Sequence, residues 1–233
     1  MMVMEKSVDL TVAVIAKECV PGRVKTRLSP PLSPENAAAL AQASLSRTLA
    51  TVRLLPVRHR ILVMDGTPSP ADAAGYTVVP QVTGGLDERL AAICDATTGP
   101  LLIVGMDTPQ VAADHLGALL RDWSTVQASR DAWLGPAADG GFWALALRRP
   151  DGALIRGVPM STDTTGTAQH ARLTAAGLTV GSLPELRDMD YFSDALQIAA
   201  EIPDTDFAHA VDNAARTAAD PAPKSRPLEG ALR

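Results

Sequence analysis

The sequence predicts an α/β domain with a mostly parallel central sheet and helices on both faces. Short apolar runs rich in β-branched residues alternate with longer segments of helical period, which is the pattern of repeated βαβ units. The length of 233 residues suits one such domain. Apolar residues make up 46% and charged residues 20%, so the chain can bury an ordinary core.

Each element follows from a local signal. Leu10 to Lys17 is a β-branched run that predicts a buried first strand, and residues 18–32 then form a polar loop that is too long for a plain turn. Ser33 as cap and Pro34 in the first turn begin a helix that continues to Leu54. The later predicted strands are 59–64, 76–80, 100–104, 132–134, 142–147 and 178–183, and the later predicted helices are 86–96, 112–123, 164–176 and 192–201.

The folded domain is predicted over residues 10–215, between an N-terminal extension at 1–9 and a disordered tail at 216–233 that is rich in Pro and Ala. The extension lacks the apolar stretch of a signal peptide, and no apolar run reaches the ~18 residues that a membrane helix needs. Cys19 and Cys94 match no zinc or redox spacing and are too sparse for a disulfide framework. We therefore expect a cytoplasmic protein with no membrane partner.

Charge and missing motifs exclude several classes. The net charge of −5 comes without a polybasic stripe, which argues against nucleic acid as a partner and favours an anionic small molecule bound by local basic clusters. The sequence contains no Gly-x-Ser-x-Gly elbow, no Walker loop and no Rossmann glycine fingerprint. Hydrolase, ATPase and dehydrogenase functions are therefore disfavoured.

A basic cluster directly after the first strand predicts a phosphate-binding site, because open α/β sheets bind ligands at the carboxyl ends of their strands. Arg can grip a phosphate with two hydrogen bonds, and Lys acts as a point charge. The alternative is a solvated basic loop. A glycine pair that begins a later helix offers a second close approach to a base or phosphate. The predicted nucleotide and phosphate contacts are Ala16, Lys17, Gly22, Arg23, Lys25, Arg27, Gly84, Gly85, Arg89 and Gly105.

Aspartates after the fourth strand and before the last predicted helix indicate a metal site. Asp107 follows a buried strand, and Asp188-Met189-Asp190 places two carboxylates at alternate positions of an extended segment. Mg²⁺ or Mn²⁺ takes such oxygen ligands, usually one or two carboxylates plus substrate phosphates. The carboxylates of Asp188 and Asp190 could therefore complete a metal site with Asp107, and the alternative is that these aspartates only cap helices.

A third cluster predicts the sugar or acceptor side. Asp139 precedes a glycine pair, Gly140 and Gly141, that lets the chain pass close to a ligand, although Asp-Gly before a strand is also a common hairpin turn. Ser161 and Thr162 open a hydroxyl-rich helix start that either caps the helix or touches an acceptor.

Taken in order, these segments resemble a bacterial family of small GT-A-fold glycosyltransferase-like proteins, some of them assigned to arsenosugar biosynthesis. The resemblance covers about residues 12–200 and rests on five segments: Ala16-Lys17, PGRVKTRL at 21–28, GMDTP at 105–109, GPAADGGF at 135–142 and DMD at 188–190. The family is similar to the 2-phospholactate and molybdenum-cofactor guanylyltransferases. The resemblance implies a GT-A fold, Lys25 on phosphate, Asp107 and Asp190 on the metal, and Asp139 facing the sugar or acceptor. Met160 and the Phe142-Trp143 pair depart from the usual residues on the acceptor side.

The sequence thus predicts a metal-dependent glycosyltransferase that moves a sugar from a nucleoside diphosphate sugar, UDP-linked, to a small-molecule acceptor. Asp107 and Asp139 are the candidate catalytic residues, with Asp139 as a general base. One alternative is a guanylyltransferase-like nucleotidyltransferase that couples an NTP to a phosphorylated small molecule. The other is a nucleotide-binding module without catalysis.

Overall fold

A computed structural model describes residues 8–219 of the chain. Within these residues, one seven-stranded sheet has the order β3-β2-β1-β4-β6-β5-β7. Neighbouring strands are parallel except that β6 runs antiparallel to both β4 and β5. The strands are β1 (Val8–Lys17), β2 (Val57–Asp65), β3 (Thr77–Pro80), β4 (Leu101–Val104), β5 (Ala132–Pro136), β6 (Phe142–Leu147) and β7 (Val180–Ser182).

The register of β1 sets the position of the edge at which ligands are expected. Val14 of β1 lies opposite Val104 of β4, and Lys17 lies opposite Asp65 of β2. The carboxyl ends of these parallel strands therefore meet at one edge of the sheet. Because β6 runs the other way, its first residue, Phe142, lies at the same edge, which is where open α/β sheets bind ligands.

Helices cover both faces of the sheet, as predicted. The helices are α1 (Pro34–Leu54), α2 (Pro70–Ala73), α3 (Leu86–Ala96), α4 (Gly117–Trp123), α5 (Thr165–Ala175), α6 (Phe192–Glu201) and α7 (Asp206–Ala219). On one face, Leu45 and Leu49 of α1 pack with Val12 and Val14 of β1. On the other, Leu90 of α3 and Leu173 of α5 belong to a separate cluster. The predicted start of α1 is confirmed, since the Ser33 hydroxyl accepts from the Asn36 amide at 3.2 Å.

The structure differs from the predicted elements at both ends of the domain. The first strand begins at Val8, so residues 8 and 9 of the predicted extension are strand residues. An unpredicted helix, α7, carries Phe207 and Val211 on one buried face and packs against α1 and α6. Its last turn includes Arg216 to Ala219, which we had placed in the disordered tail; residues 1–7 and 220–233 lie outside the described part of the chain. The i, i+4 spacing of Phe207 and Val211 was the available helix signal.

Both cysteines are free thiols, as the sequence predicts. None of the helices within residues 8–219 has the length and apolar character required to cross a membrane.

Candidate functional site

A cavity of about 760 Å³ opens at the edge where the carboxyl ends of β1 and β4 meet the start of β6. This volume is within the range of small-molecule sites. Its wall includes four cationic side chains, Lys17, Arg27, Arg89 and Arg187. Six aspartates also line it, at positions 107, 139, 163, 188, 190 and 194.

The basic loop and the two predicted metal ligands meet beside this cavity. The Lys25 ammonium lies 2.8 Å from Oδ2 of Asp107 and 2.9 Å from Oδ1 of Asp190. Arg27 donates to the other oxygen of Asp190 at 3.0 Å. The Lys25 side chain is only 12% exposed, although residues 25, 107 and 190 come from three distant segments. The tertiary structure therefore brings together the loop after β1, the end of β4 and the segment before α6.

Electrostatic attraction keeps Lys25 and Asp190 ionised in this cluster. Burial alone would lower the pKa of Lys25, but the carboxylates of Asp107 and Asp190 more than offset it and hold that pKa above its usual range. Burial likewise opposes ionisation of Asp190, yet Lys25 and Arg27 keep its pKa below the ordinary value. The cluster is therefore an ion pair network, with a cation shared by two carboxylates.

Asp188, for which the sequence leaves open a metal ligand or a helix cap, is half-buried and lines the cavity. Its carboxylate accepts from the Thr108 hydroxyl at 3.2 Å. Burial, followed by repulsion from Asp107 and from Asp139, raises the pKa of Asp188 to about 8. The protonated form of Asp188 is therefore favoured near neutral pH.

The donor set fits a divalent cation that a substrate completes. Within residues 8–219, no group of three or more His, Cys, Asp and Glu side chains is arranged to hold a metal ion. Asp107 and Asp190 supply two hard oxygen ligands, and Mg²⁺ is commonly bound by one or two carboxylates plus substrate phosphates.

The β3 side of the cavity is rich in donors. Arg89 of α3 donates to the carbonyl of Gly84 at 3.0 Å and lies 3.9 Å from the Asp65 carboxylate. The side-chain amide of Gln81 donates to the carbonyl of Ala16 at 2.6 Å, which joins β3 to the end of β1. The backbone amide of Lys17 donates to the thioether sulfur of Met106 at 3.2 Å. Such groups suit an anionic or carbonyl-bearing ligand.

The β6 side is built by close backbone packing. A Cβ added to Gly140 would lie 2.0 Å from the carbonyl oxygen of Asp163, and one added to Gly166 would lie 2.5 Å from that of Gly141. The two segments are also joined by a hydrogen bond from the Gly166 amide to the Gly140 carbonyl at 2.8 Å. Asp139 is oriented by the Gly141 amide, which donates to its carboxylate at 2.8 Å.

Lys25 and Ser161 are the two non-glycine residues with positive φ in the described chain, at 45° and 58°. Both lie at this site, Lys25 in the ion pair network and Ser161 in the cavity wall. L-residues rarely adopt this conformation, and it tends to cluster at functional sites because the surrounding structure must maintain it.

The structure sorts the predicted site residues into three groups. Eleven line the cavity: Ala16, Lys17, Arg27, Arg89, Gly105, Asp107, Asp139, Gly141, Ser161, Thr162 and Asp190. Lys25 joins them through its bonds to Asp107 and Asp190. Five do not line it: Gly22, Arg23, Gly84, Gly85 and Gly140.

Local geometry explains the five exceptions. Gly22 and Arg23 are exposed at a turn where nothing lies within 4 Å of a Cβ added to Gly22. Gly84 has φ of +119° and Gly85 is the N-cap of α3, so both glycines serve the local backbone conformation at the start of this helix. Gly140 packs against Asp163 rather than facing the cavity.

Sequence reasoning missed several residues that line the cavity. Gln81 and Arg187 belong to no motif, whereas Met106, Trp143 and Asp163 lie within segments that the sequence analysis noted without assigning these residues a role. Gln81 directly follows the third strand, so its position at the strand's carboxyl end was the available signal.

The fold and the cavity define an α/β protein with the fold of nucleotide-diphospho-sugar transferases. A protein from Desulfovibrio desulfuricans G20, provisionally assigned as such a transferase, superposes with a TM-score of 0.77 at 18% identity over 90% of this chain and 96% of that one. CMP:2-keto-3-deoxy-manno-octonic acid synthetase, complexed with CTP, superposes with a TM-score of 0.53 at 11% identity over 84% and 98%. The 4-diphosphocytidyl-2C-methyl-D-erythritol synthase of Anaerococcus prevotii DSM 20548 gives 0.52 at 11% identity over 84% and 99%.

Sequence comparison adds a family without an assigned function. Residues 47–162 match the model of DUF2064, described as an uncharacterized protein conserved in bacteria. No curated protein matches the chain. The solved structures above are similar to this chain in fold at 11 to 18% identity.

Proposed function

We propose that this protein is a metal-dependent glycosyltransferase that moves a sugar from a nucleoside diphosphate sugar, UDP-linked, to a small-molecule acceptor in the cytoplasm. The observation that carries the proposal is the shared ion pair of Lys25 with Asp107 and Asp190 beside a cavity at the carboxyl edge of β1 and β4. That edge is where this class of sheet binds nucleotides.

The charged groups near the ends of β1 and β4 would bind the diphosphate and the metal. Lys25, Arg27 and Arg89 would bind the diphosphate and stabilise the negative charge that develops on it as the sugar leaves. Asp107 and Asp190 would hold Mg²⁺ or Mn²⁺, which when bound supplies Lewis-acid stabilisation of the same charge.

The β6 side would bind the sugar and acceptor. The Asp139 carboxylate is oriented by the Gly141 amide and lines the cavity, which supports the proposal that it would take a proton from an acceptor hydroxyl. Ser161 and Thr162 add hydroxyl groups to the same wall. The rigid packing of Gly140 on Asp163 would keep this base at a fixed distance from the diphosphate.

Nucleotidyl transfer is the second candidate. Two solved structures of similar fold are named as synthetases of CMP- and diphosphocytidyl-linked products, and both align over nearly their full length. Lys25 and Arg27 suit a triphosphate as well as a diphosphate. The loop after β1 lacks the glycine-rich Gly-Gly-x-Gly-Thr-Arg pattern typical of sugar nucleotidyltransferases, and this favours sugar transfer.

The test is to incubate the protein with Mn²⁺ and a panel of UDP-sugars, GDP-sugars and NTPs, and to measure Tm and released product. A ligand at 100 times its Kd stabilises the protein by about 2.7 kcal/mol. We expect Mn²⁺-dependent stabilisation by a UDP-sugar and slow release of free sugar. Asp107→Asn should abolish the Mn²⁺-dependent part, whereas Asp114→Asn, an exposed aspartate in a 3-10 turn, should retain it.

The outcomes separate the candidates. Pyrophosphate release from an NTP would establish nucleotidyl transfer instead, and stabilisation without any product would indicate a binding module. If Asp107→Asn keeps full Mn²⁺ dependence, the metal assignment is wrong.

A further inference from the structure

The ammonium of Lys25 lies where a cation shared by Asp107 and Asp190 would bind. It is 2.8 Å from Oδ2 of Asp107 and 2.9 Å from Oδ1 of Asp190, so one nitrogen contacts an oxygen of each carboxylate. A Mg²⁺ ion bound to both oxygens would have metal–oxygen distances of about 2.1 Å. An ion held by the same two oxygens would lie close to the ammonium, and their like charges would repel in a poorly solvated position.

The backbone shows that this placement is specific. Lys25 has φ of 45° and ψ of 44°, a left-handed conformation that L-residues rarely adopt. The carbonyl of Lys25 accepts from the Leu28 amide at 3.0 Å, which begins the short 3-10 turn that follows. Neighbouring structure therefore maintains an unfavourable conformation that directs the ammonium at the two aspartates.

Arg27 provides a contrast within the same network. It binds the opposite oxygen of Asp190 at 3.0 Å, and its side chain is 62% exposed. It contributes positive charge to the cluster without lying between the two carboxylates. The two cations can therefore be distinguished experimentally.

We propose that Lys25 holds the position of the divalent cation between Asp107 and Asp190 in the nucleotide-free protein, and that a bound diphosphate draws Lys25 away, so that metal and nucleotide bind as one unit. This inference rests on the proposed function. The diphosphate offers the ammonium new anionic partners, and the released carboxylates become ligands for the metal. Coupling of this kind is reciprocal, so the metal raises nucleotide affinity by the same factor by which the nucleotide raises metal affinity.

The test is a titration of Mn²⁺ into nucleotide-free protein, followed by the electron paramagnetic resonance signal of free Mn²⁺. We expect Lys25→Met to bind Mn²⁺ at least tenfold more tightly than the natural protein. Arg27→Met removes one positive charge from the same cluster and is the matched control, for which we expect a change of less than threefold. The double variant Lys25→Met, Asp107→Asn should not show this gain in Mn²⁺ affinity, because it lacks one of the two carboxylate ligands.

Three results would overturn the proposal. Equal Mn²⁺ affinity in the natural protein and Lys25→Met would show that Lys25 does not compete with the metal. An equal gain in Arg27→Met would show that only overall charge matters. If Mn²⁺ binds none of the variants, even with UDP or GDP present, the metal assignment of the proposed function fails as well, whereas in the first two cases it stands.

A measurement on the unaltered chain covers the case in which Lys25→Met does not fold, and Lys25→Gln serves as a second variant. UDP and GDP affinities are measured by calorimetry with and without Mn²⁺. For whichever nucleotide binds, we expect Mn²⁺ to increase its affinity at least tenfold. Equal affinities, together with tight Mn²⁺ binding in the absence of nucleotide, would contradict the proposal.

Discussion

Two walls of the cavity are held in place by different forces. The loop wall, residues 18–33, contributes Arg27 to the cavity. Leu28 and Leu32 pack it on the core, and ion pairs tie it to the site, above all that of Lys25 with Asp107 and Asp190. The glycine wall, residues 137–141 and 160–166, is held by backbone contacts that leave no room for a Cβ at Gly140 or Gly166. Charge can be redistributed by a ligand, whereas a steric fit cannot. The loop wall is therefore suited to respond to a phosphate, and the glycine wall to keep Asp139 in place.

The largest expected effect comes from substitution of a wall glycine. Gly140 has φ of +89°, and an added Cβ would lie 2.0 Å from the Asp163 carbonyl oxygen. Gly140→Ala combines a backbone clash with strain, and we expect it to lower the free energy of unfolding by roughly 3 kcal/mol. Urea denaturation followed by circular dichroism measures this.

Gly22→Ala is the matched control from the loop wall. Gly22 has φ of +75°, but nothing lies within 4 Å of an added Cβ. The substitution therefore adds only conformational strain, and we expect it to lower the free energy of unfolding by about 1 kcal/mol. Equal losses in the two variants would remove the distinction between the walls.

The second effect concerns the ion pair that anchors the loop wall. Lys25→Met leaves Asp107 and Asp190 facing each other without the shared cation, and we expect a loss of roughly 2 kcal/mol in unfolding free energy without added metal. The same urea titration at neutral pH measures this loss. A variant as stable as the natural protein would mean that the loop wall is anchored by its backbone instead.

The smallest effect belongs to the exposed cation of the same wall. Arg27 is 62% exposed, and such an ion pair is screened by water and salt. We expect Arg27→Met to change the unfolding free energy by at most about 0.5 kcal/mol, with the difference vanishing in 1 M NaCl. A loss as large as that of Lys25→Met would show that the cluster acts as one unit.

Local patterns predicted most of the fold because each pattern reports its own environment. The run of apolar residues from Leu10 to Ala16 could only be a buried strand, and Ser33-Pro34-Glu35 gave the start of α1 within one residue. Two helices were missed, the single-turn α2 and the longer α7. The helix α7 has only a narrow apolar stripe that includes Phe207 and Val211. Its stability depends on packing against α1 and α6, which a local pattern does not report.

The candidate site was predicted less evenly. Residues at the ends of strands, such as Lys17, Gly105 and Asp107, were found because topology alone directs strand ends to one edge. Gly140 was predicted as a ligand contact, but it serves the packing of the glycine wall. Gln81 and Arg187 were missed because a single polar residue in a loop carries no local sequence signal of its position in the folded protein.

The sequence by itself determined the α/β class, the order of the elements around the site and the residue types available for binding an anion and a cation. Those depend on periodicity, capping and topology, which act over a few residues or follow from the direction of the strands. Only the tertiary structure decided that Lys25 lies between Asp107 and Asp190, with 82 and 165 residues separating it from its partners along the chain. Electrostatic energy depends on distance in space, and a linear pattern does not contain that distance until the core has packed.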